Sequence, residues 1–139
     1  MDATAAKKDR ASRPNKRQCA MLIVHLLATK QAEAKKAGSK RELTRARLAE
    51  ITLRRLFGRQ RISPEFLLEV EEWLFRVGWV LFSAGTTYAV VKMKVIEGWG
   101  RISSKRIGDD LQKVRRGKFN FDSLEHLLLG SESPGEEED

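Results

Sequence analysis

Five residues whose side chains can bind nucleic acid lie within a stretch of eight positions near the middle of the chain. They are Arg54, Arg55, Arg59, Gln60 and Arg61. Arginine neutralises phosphate and bonds guanine edges in pairs, and glutamine bonds adenine edges in the same way. Ser63 follows with a hydroxyl that can bond a phosphate. The cluster predicts a surface for a polyanion. The alternative for Arg54 and Arg55 is internal pairing with Glu69 or Glu72.

The charge of the chain is unevenly distributed. Of 139 residues with a net charge of +8, residues 21–62 hold eleven bases against three acids. Residues 101–120 hold seven bases against two acids, whereas residues 121–139 hold seven acids and no base. A pI near 9.9 with bases concentrated in blocks favours nucleic acid over membrane as the partner. The alternative is a generally basic, solvated surface.

Catalytic and metal-binding chemistry has little support in the sequence. The two histidines, His25 and His126, lack partners at metal-binding spacing, and we expect His25 to be a buried or half-buried structural side chain. The stretch GWGRISSKR lacks the spacing of a phosphate loop. Asp109 and Asp110 are more typical of a helix N-terminus than of a magnesium-dependent nuclease. We therefore expect no enzymatic activity, no metal, no cofactor and no small-molecule ligand.

The single cysteine and the apolar segments bear on the compartment. Cys19 excludes an internal disulfide and is compatible with a reducing cytoplasm. The apolar run from Cys19 to Ala28 is too short to span a bilayer, and no small-residue cleavage site follows it. We expect a cytoplasmic protein without membrane association.

Helical periodicity predicts the elements that position the basic cluster. We expect a disordered basic arm over residues 1–16 and a helix over about 17–37 with one apolar face. Ser39 and Glu42 have capping-box spacing, which predicts a second helix over about 40–57. Its expected core residues are Leu43, Leu48, Ile51 and Phe57.

A third helix is predicted over about 64–77. Ser63 is its expected N-cap, and Pro64 suits the first helical position. The residues expected to form its buried face are Leu67, Val70, Leu74 and Val77, with Phe66 and Trp73 beside them.

The period then changes from 3.6 to 2. The segments WVLFS and TYAVVKM, separated by AGT, predict a hairpin over about 79–95 with Gly85 at positive φ. We expect a helical extension over 101–130, with Ile107, Leu111 and Val114 as an apolar stripe and a short helix from about Ser123. Residues 131–139 are predicted to be a disordered acidic tail.

This predicted order gives a mainly α fold with a small β-hairpin (α+β), and it resembles a winged helix-turn-helix. The stretch LAEITLRRLFGRQRISPEFLLEVEEWLFRVGWVLFSAGTTYAVV carries the resemblance, over about a third of the chain. The resemblance is one of architecture alone and gives a winged-helix core over 17–100, followed by one or two C-terminal helices. It implies a third helix in the major groove and a wing that contacts the adjacent backbone.

The composition of the third helix conflicts with that docking. Its expected outward face presents Glu65, Leu68, Glu69, Glu72 and Arg76. Each acid near a phosphate adds repulsion of about 1 kcal/mol in a water-like medium at ~4 Å. We therefore expect contact through the basic turn, the start of the helix and the wing. The predicted contact residues are Arg45, Arg54, Arg55, Arg59, Gln60, Arg61, Ser63, Thr86, Thr87 and Lys92.

These features together predict a sequence-specific or semi-specific binder of double-stranded DNA, a small transcriptional regulator. The sequence leaves the oligomeric state open: many such regulators form a homodimer to read two half-sites, and here the first helix or residues 102–130 could supply the interface. Two alternatives stay open. One is a protein-interaction module that uses the acidic third helix, and the other is an RNA-binding accessory protein that uses the basic arm and the segment KVRRGKF.

Overall fold

The computed structural model describes residues 12–132, which belong to two compact units divided between Trp99 and Gly100. Most of the predicted basic arm and most of the predicted acidic tail lie outside the described residues. Two residues assigned to the tail, Ser131 and Glu132, are instead the end of a helix.

The first helix, α1 (Lys16–Lys36), is fixed at its start by a capping box. The Asn15 side chain accepts a hydrogen bond from the backbone N–H of Gln18 at 2.8 Å, and the Gln18 side chain accepts one from the N–H of Asn15 at 2.9 Å. Two orphan donors of the first turn are thereby satisfied. The apolar face buries Cys19, Ala20, Ile23 and Leu27. His25 points to solvent, so the expectation of a buried structural histidine is wrong.

The predicted helix over 40–57 is wrong in its first half. Residues Arg45–Ala49 form strand β1, and helix α2 covers only Glu50–Phe57. In RARLA, Leu48 is buried and Ala46 half-buried, whereas Arg45 and Arg47 are exposed. This alternation has the period of a strand, and pairing with a neighbouring strand outweighed the helix propensity of the segment.

The Ser39–Glu42 spacing does not open a helix. Instead, the side chain of Gln31 on α1 hydrogen-bonds to the backbone of the loop before β1. Its amide N–H donates to the carbonyl of Arg41 at 3.0 Å, and its amide oxygen accepts from the N–H of Leu43. Ile51, expected in the core, is 54% exposed because α2 starts later and turns this residue outward.

Helix α3 (Pro64–Arg76) begins at the predicted cap, where the Ser63 hydroxyl accepts from the N–H of Phe66 at 3.1 Å. Val70 and Leu74 are fully buried, and Leu67 is half-buried. Val77 was predicted to be buried but is 62% exposed, because the helix ends at Arg76 and Val77 leaves the helical face.

Strands β2 (Trp79–Ala84) and β3 (Thr87–Lys92) form the hairpin, and the three-stranded antiparallel sheet has the order β1-β3-β2. The loop is Gly85-Thr86, with φ of +69° at Gly85, as a two-residue type II′ turn requires. The hairpin ends at Lys92, earlier than predicted, and a short helix α4 (Met93–Glu97) follows. The sheet packs Leu48, Leu81 and Val90 into the core shared with α1, α2 and α3.

The second unit is helical. It contains α5 (Gly108–Arg115) and α6 (Glu125–Glu132), each preceded by a 3₁₀ turn, at Ser104–Ile107 and Phe121–Leu124. The predicted apolar stripe is not a core, since Ile107 is 50% and Val114 37% exposed.

The α+β class with two C-terminal helices is thus confirmed, at 58% helix with one small sheet. Among residues 12–132, none of the helices combines the length and apolar character needed to cross a membrane.

Candidate nucleic-acid interface

The turn between α2 and α3 brings free cationic and amide side chains to the surface. Gly58 at φ +63° ends α2, and the chain reverses so that the N–H of Arg59 reaches the carbonyl of Arg54 at 3.1 Å. Gln60 and Arg61 then project into solvent. Arg13, just before α1, lines the same shallow cleft. Together with exposed Arg55 on the last turn of α2, these residues are called the basic turn surface: Arg13, Arg55, Gln60 and Arg61.

The side chains of the basic turn surface are unpaired. Within the described part of the chain, none of the four takes part in an ion pair or a side-chain hydrogen bond. Arg13 was not among the predicted contacts because it fell in a segment read as disordered. The Asn15–Gln18 capping box was the signal that could have placed it next to a helix start.

Arg59 has a structural position. Its Nη1 donates to the carbonyl of Pro14 at 2.8 Å and to that of Phe57 at 2.9 Å, and its guanidinium lies 4.2 Å from the Phe66 ring centroid. It ties the start of α1 to the turn and to α3. Its Nη1 donors are therefore engaged within the protein and its guanidinium packs on Phe66, so Arg59 is not included in the basic turn surface.

Arg54 is half-buried and also turned inward. Its Nε lies 4.0 Å from Oε2 of Glu50, one helical turn earlier, and this distance is too long for a hydrogen bond. The Nε has no hydrogen-bond partner among the described residues. Internal pairing was considered at the sequence level with Glu69 or Glu72, but the acid beside it is Glu50.

The start of α3 carries a hydroxyl that already has a role. Ser63 caps the helix, so its oxygen accepts from Phe66, while its proton stays free to donate. Exposed Glu65 in the first turn complements the helix dipole. The same carboxylate would oppose an approaching phosphate, so the N-terminus of α3 is a weaker anion site than its geometry alone would give.

Two of the three predicted contact residues on the wing, Thr87 and Lys92, have partners within the fold. Thr86 is exposed at the tip, but Thr87 donates to the carbonyl of Leu48 at 2.9 Å and so fastens the hairpin to β1. Lys92 pairs with Glu42 and lies 5.6 Å from the Trp79 ring centroid. Hydrogen bonds from Lys92 and then from Lys94 lower the pKa of Glu42. Thr87 and Lys92 are thus committed to the fold.

Strand β1 presents two free arginines. Arg45, a predicted contact, and Arg47, which was not predicted, are both exposed on the sheet face opposite the core. Neither has an ion pair or a side-chain hydrogen bond within residues 12–132. The sequence did not predict Arg47 as a contact because the segment was interpreted as a helix. Only in a strand do residues 45 and 47 lie on the same face.

The acids of α3 have separate surroundings. Glu69 pairs with Lys16 of α1 at 2.6 Å, so it is neutralised by its own protein. Burial raises the pKa of Glu71, which has no cationic partner among the described residues. The remaining exposed face is apolar as well as acidic, since Leu68 is 58% and Phe75 60% exposed.

These α3 side chains border a groove against strand β2. We call it the α3–β2 groove, and its lining residues are Leu68, Glu71, Glu72, Phe75, Arg76, Val80 and Leu81. An apolar floor with two acids does not fit a nucleic-acid backbone. The groove includes Leu68, Glu72 and Arg76, which belong to the face that a reading helix would turn to DNA.

Within residues 12–132 there is no cluster of three or more His, Cys, Asp or Glu side chains that could hold a metal ion. Comparisons with known protein families, with curated proteins and with solved structures return no match.

Proposed function

We propose that this protein binds double-stranded DNA through the basic turn surface, as a small transcriptional regulator of winged-helix type. The observation that carries the proposal is a group of Arg and Gln side chains, at and beside the turn into α3, that have no ion pair or side-chain hydrogen bond within residues 12–132. They are Arg13, Arg55, Gln60 and Arg61. The element order supports the resemblance, because three helices precede a hairpin in the first unit.

The proposed docking differs from that of a conventional reading helix. The turn and the first residues of α3 approach the groove, with Arg61 and Gln60 closest to base edges. Arg13 and Arg55 neutralise phosphates on either side. The rest of α3 angles away, which keeps Glu72 and the exposed Leu68 and Phe75 out of the phosphate field. Since few side chains reach bases, sequence preference is modest, and the phosphate contacts supply most of the affinity.

Fluorescence anisotropy with labelled duplexes tests the proposal. The double variant Arg13→Gln/Arg55→Gln should bind a random duplex more weakly, and the slope of log K against log salt should fall by about two, one per lost phosphate contact. The matched control is Lys30→Gln/Lys36→Gln, which removes the same charge from the far half of α1, more than ~20 Å along the helix from Asn15.

Two results would contradict the proposal. One is equal weakening by the control, which would assign the effect to net charge alone. The other is tighter binding to duplex RNA of the same length, which would favour the RNA-binding alternative.

A protein-contact function is the second candidate, and the α3–β2 groove favours it. The groove has no lining residue in common with the basic turn surface, so the two functions can coexist. Charge reversal at Glu72 leaves DNA affinity within about twofold if α3 stays clear of the duplex. A large gain in affinity would place α3 against DNA.

A further inference from the structure

The two edges of the sheet differ in how they are protected. In the order β1-β3-β2, strands β1 and β2 are the edges. The β1 edge carries Arg45 and Arg47, and charged side chains on an edge discourage pairing with another strand. The β2 edge reads WVLFSA, six residues without a charge or a proline. Such an edge is a template for strand addition.

The hydrogen-bond register shows which backbone groups of β2 are free. The N–H of Met93 donates to the carbonyl of Gly78 at 2.8 Å, and Trp79 lies opposite Lys92. Because hydrogen-bonded and non-bonded pairs alternate in an antiparallel ladder, the groups of Val80, Phe82 and Ala84 face β3. Those of Trp79, Leu81 and Ser83 face the open edge. No backbone hydrogen bond outside the β2–β3 ladder reaches these three residues from any other described part of the chain.

Apolar surface lies on both sides of this edge. Below it, the α3–β2 groove exposes Leu68 and Phe75. Above it, on the sheet face opposite the core, Phe82 is 43% exposed beside half-buried Val80. An open strand edge bordered by apolar side chains on both faces has the layout of an interface between sheets.

We propose that the β2 edge and the α3–β2 groove are the interface between two copies of this chain, joined antiparallel about a two-fold axis at Leu81. This register pairs Trp79 with Ser83 of the second copy and continues the sheet across six strands. It also sets Val80 beside Phe82 of the second copy, in a close non-hydrogen-bonded pair. The exposed Phe82 of each copy thereby packs beside Val80 of the other.

A second copy fits better than an unrelated partner because the surface is self-complementary. An interface about a two-fold axis uses the same patch twice, and an uncharged strand can pair with itself without repulsion. The groove holds Glu71 and Glu72 together with Arg76, so each copy offers both signs to the other. A groove with acids alone would have required a basic partner.

Analytical ultracentrifugation of the full chain in 1 M salt is the test, since high salt removes bridging nucleic acid and leaves apolar contacts. The protein should sediment as a dimer at micromolar concentration. Ser83→Pro should raise the dimer dissociation constant about tenfold or more, because symmetry makes one substitution remove two hydrogen bonds. Ser83→Ala keeps the backbone donor and should stay dimeric.

Circular dichroism shows whether the proline variant keeps its fold, as expected from an N–H that takes no part in the β2–β3 ladder. A monomeric wild-type chain overturns the proposal, and so does a folded Ser83→Pro protein that dimerises normally.

Cross-linking tests the register independently of the proline variant. Two proteins are made in a Cys19→Ala background, one with Val80→Cys and the other with Phe82→Cys. Each is purified, and the two are mixed and oxidised. The proposed register puts these positions side by side, so the disulfide dimer should form mainly in the mixture. Equal cross-linking of either protein alone, or none in the mixture, overturns the register. Since this face is not the basic turn surface, the outcome is independent of whether the DNA-binding proposal holds.

Discussion

Two arginines two residues apart show how far the role of a side chain depends on its neighbours. Arg59 and Arg61 are equivalent in the sequence, and both were predicted to contact DNA. Arg59 donates to two backbone carbonyls and stacks on Phe66, whereas Arg61 is exposed and unpaired within the described chain. The difference arises from two contacts of Arg59. One is with Pro14, which is distant in sequence, and the other is with Phe66, which lies on helix α3. Composition and spacing could locate the basic cluster but could not divide it into side chains held by the fold and side chains left exposed.

The first residue-scale prediction separates these roles. Arg59→Ala should lower the free energy of unfolding by about 2 kcal/mol, because two hydrogen bonds to a charged donor are lost. Arg61→Ala should change it by less than about 0.5 kcal/mol, as surface substitutions do, but should weaken DNA binding. Urea unfolding and anisotropy on both variants give the comparison. Equal destabilisation by the two substitutions would refute the assignment.

A second residue-scale prediction concerns Cys19, which is fully buried. Burial raises the pKa of its thiol from 9.0 to about 11, and nearby Arg59 opposes the shift in part. The unfolded chain therefore ionises this thiol at lower pH than the folded chain. Its contribution to stability is complete below pH 9.0 and is lost as the pH rises to about 11.

Urea unfolding between pH 8 and 11 measures this loss, which can reach about 1.4 kcal/mol per pH unit. The control is Cys19→Ala, which lacks the thiol and keeps every other group that titrates in this range. Its stability should fall less steeply than that of the wild type. Parallel curves for the two proteins would show that the thiol is already free to ionise in the fold.

At the scale of elements, the sequence predicted helix α1, helix α3 and the hairpin but missed β1. Capping at Ser63 and the change of period at Trp79 are local signals, and they give elements that form in the expected places. The segment RARLA contains good helix formers but is a strand, because it pairs with β3, whose partner residues lie 38 to 46 positions further along the chain. Non-local pairing of this kind leaves no trace in a local window beyond a short alternation.

Trp73 tests the junction between α1 and α3. Its ring is half-buried and packs against the core, with the Arg76 guanidinium 4.2 Å and that of Arg17 5.7 Å from its centroid. Trp73→Ala should cost about 3 kcal/mol, the lower end for a large aromatic side chain, since the ring keeps some contact with water. The comparison is Trp99→Ala, a residue that is 55% exposed and should cost less than about 0.5 kcal/mol. Similar melting of both variants would place Trp73 outside the α1–α3 packing.

At the scale of the whole molecule, the chain separates its core from much of its charge. Every buried hydrophobic residue among those described belongs to the first unit. Residues 121–139 carry seven acids and no base, while the unpaired arginines of the basic turn surface lie in the first unit. The sequence therefore carries opposite charge in its C-terminal end and in the basic turn surface.

The last prediction follows from this charge separation. Under the proposed function, the acidic C-terminal end either competes with DNA for the basic turn surface or only solubilises the chain; competition suppresses random binding while a preferred site still displaces the acidic end. Competition predicts that truncation after Gly130 raises affinity for random duplex markedly and for a selected site less. A full-length variant with Glu136, Glu137 and Glu138 changed to Gln controls for chain length. It should reproduce most of the gain, because the competition acts through charge. If the acidic end acts only at long range, its removal strengthens binding to both duplexes equally, and that gain vanishes above ~0.15 M salt, where the Debye length falls below about 8 Å.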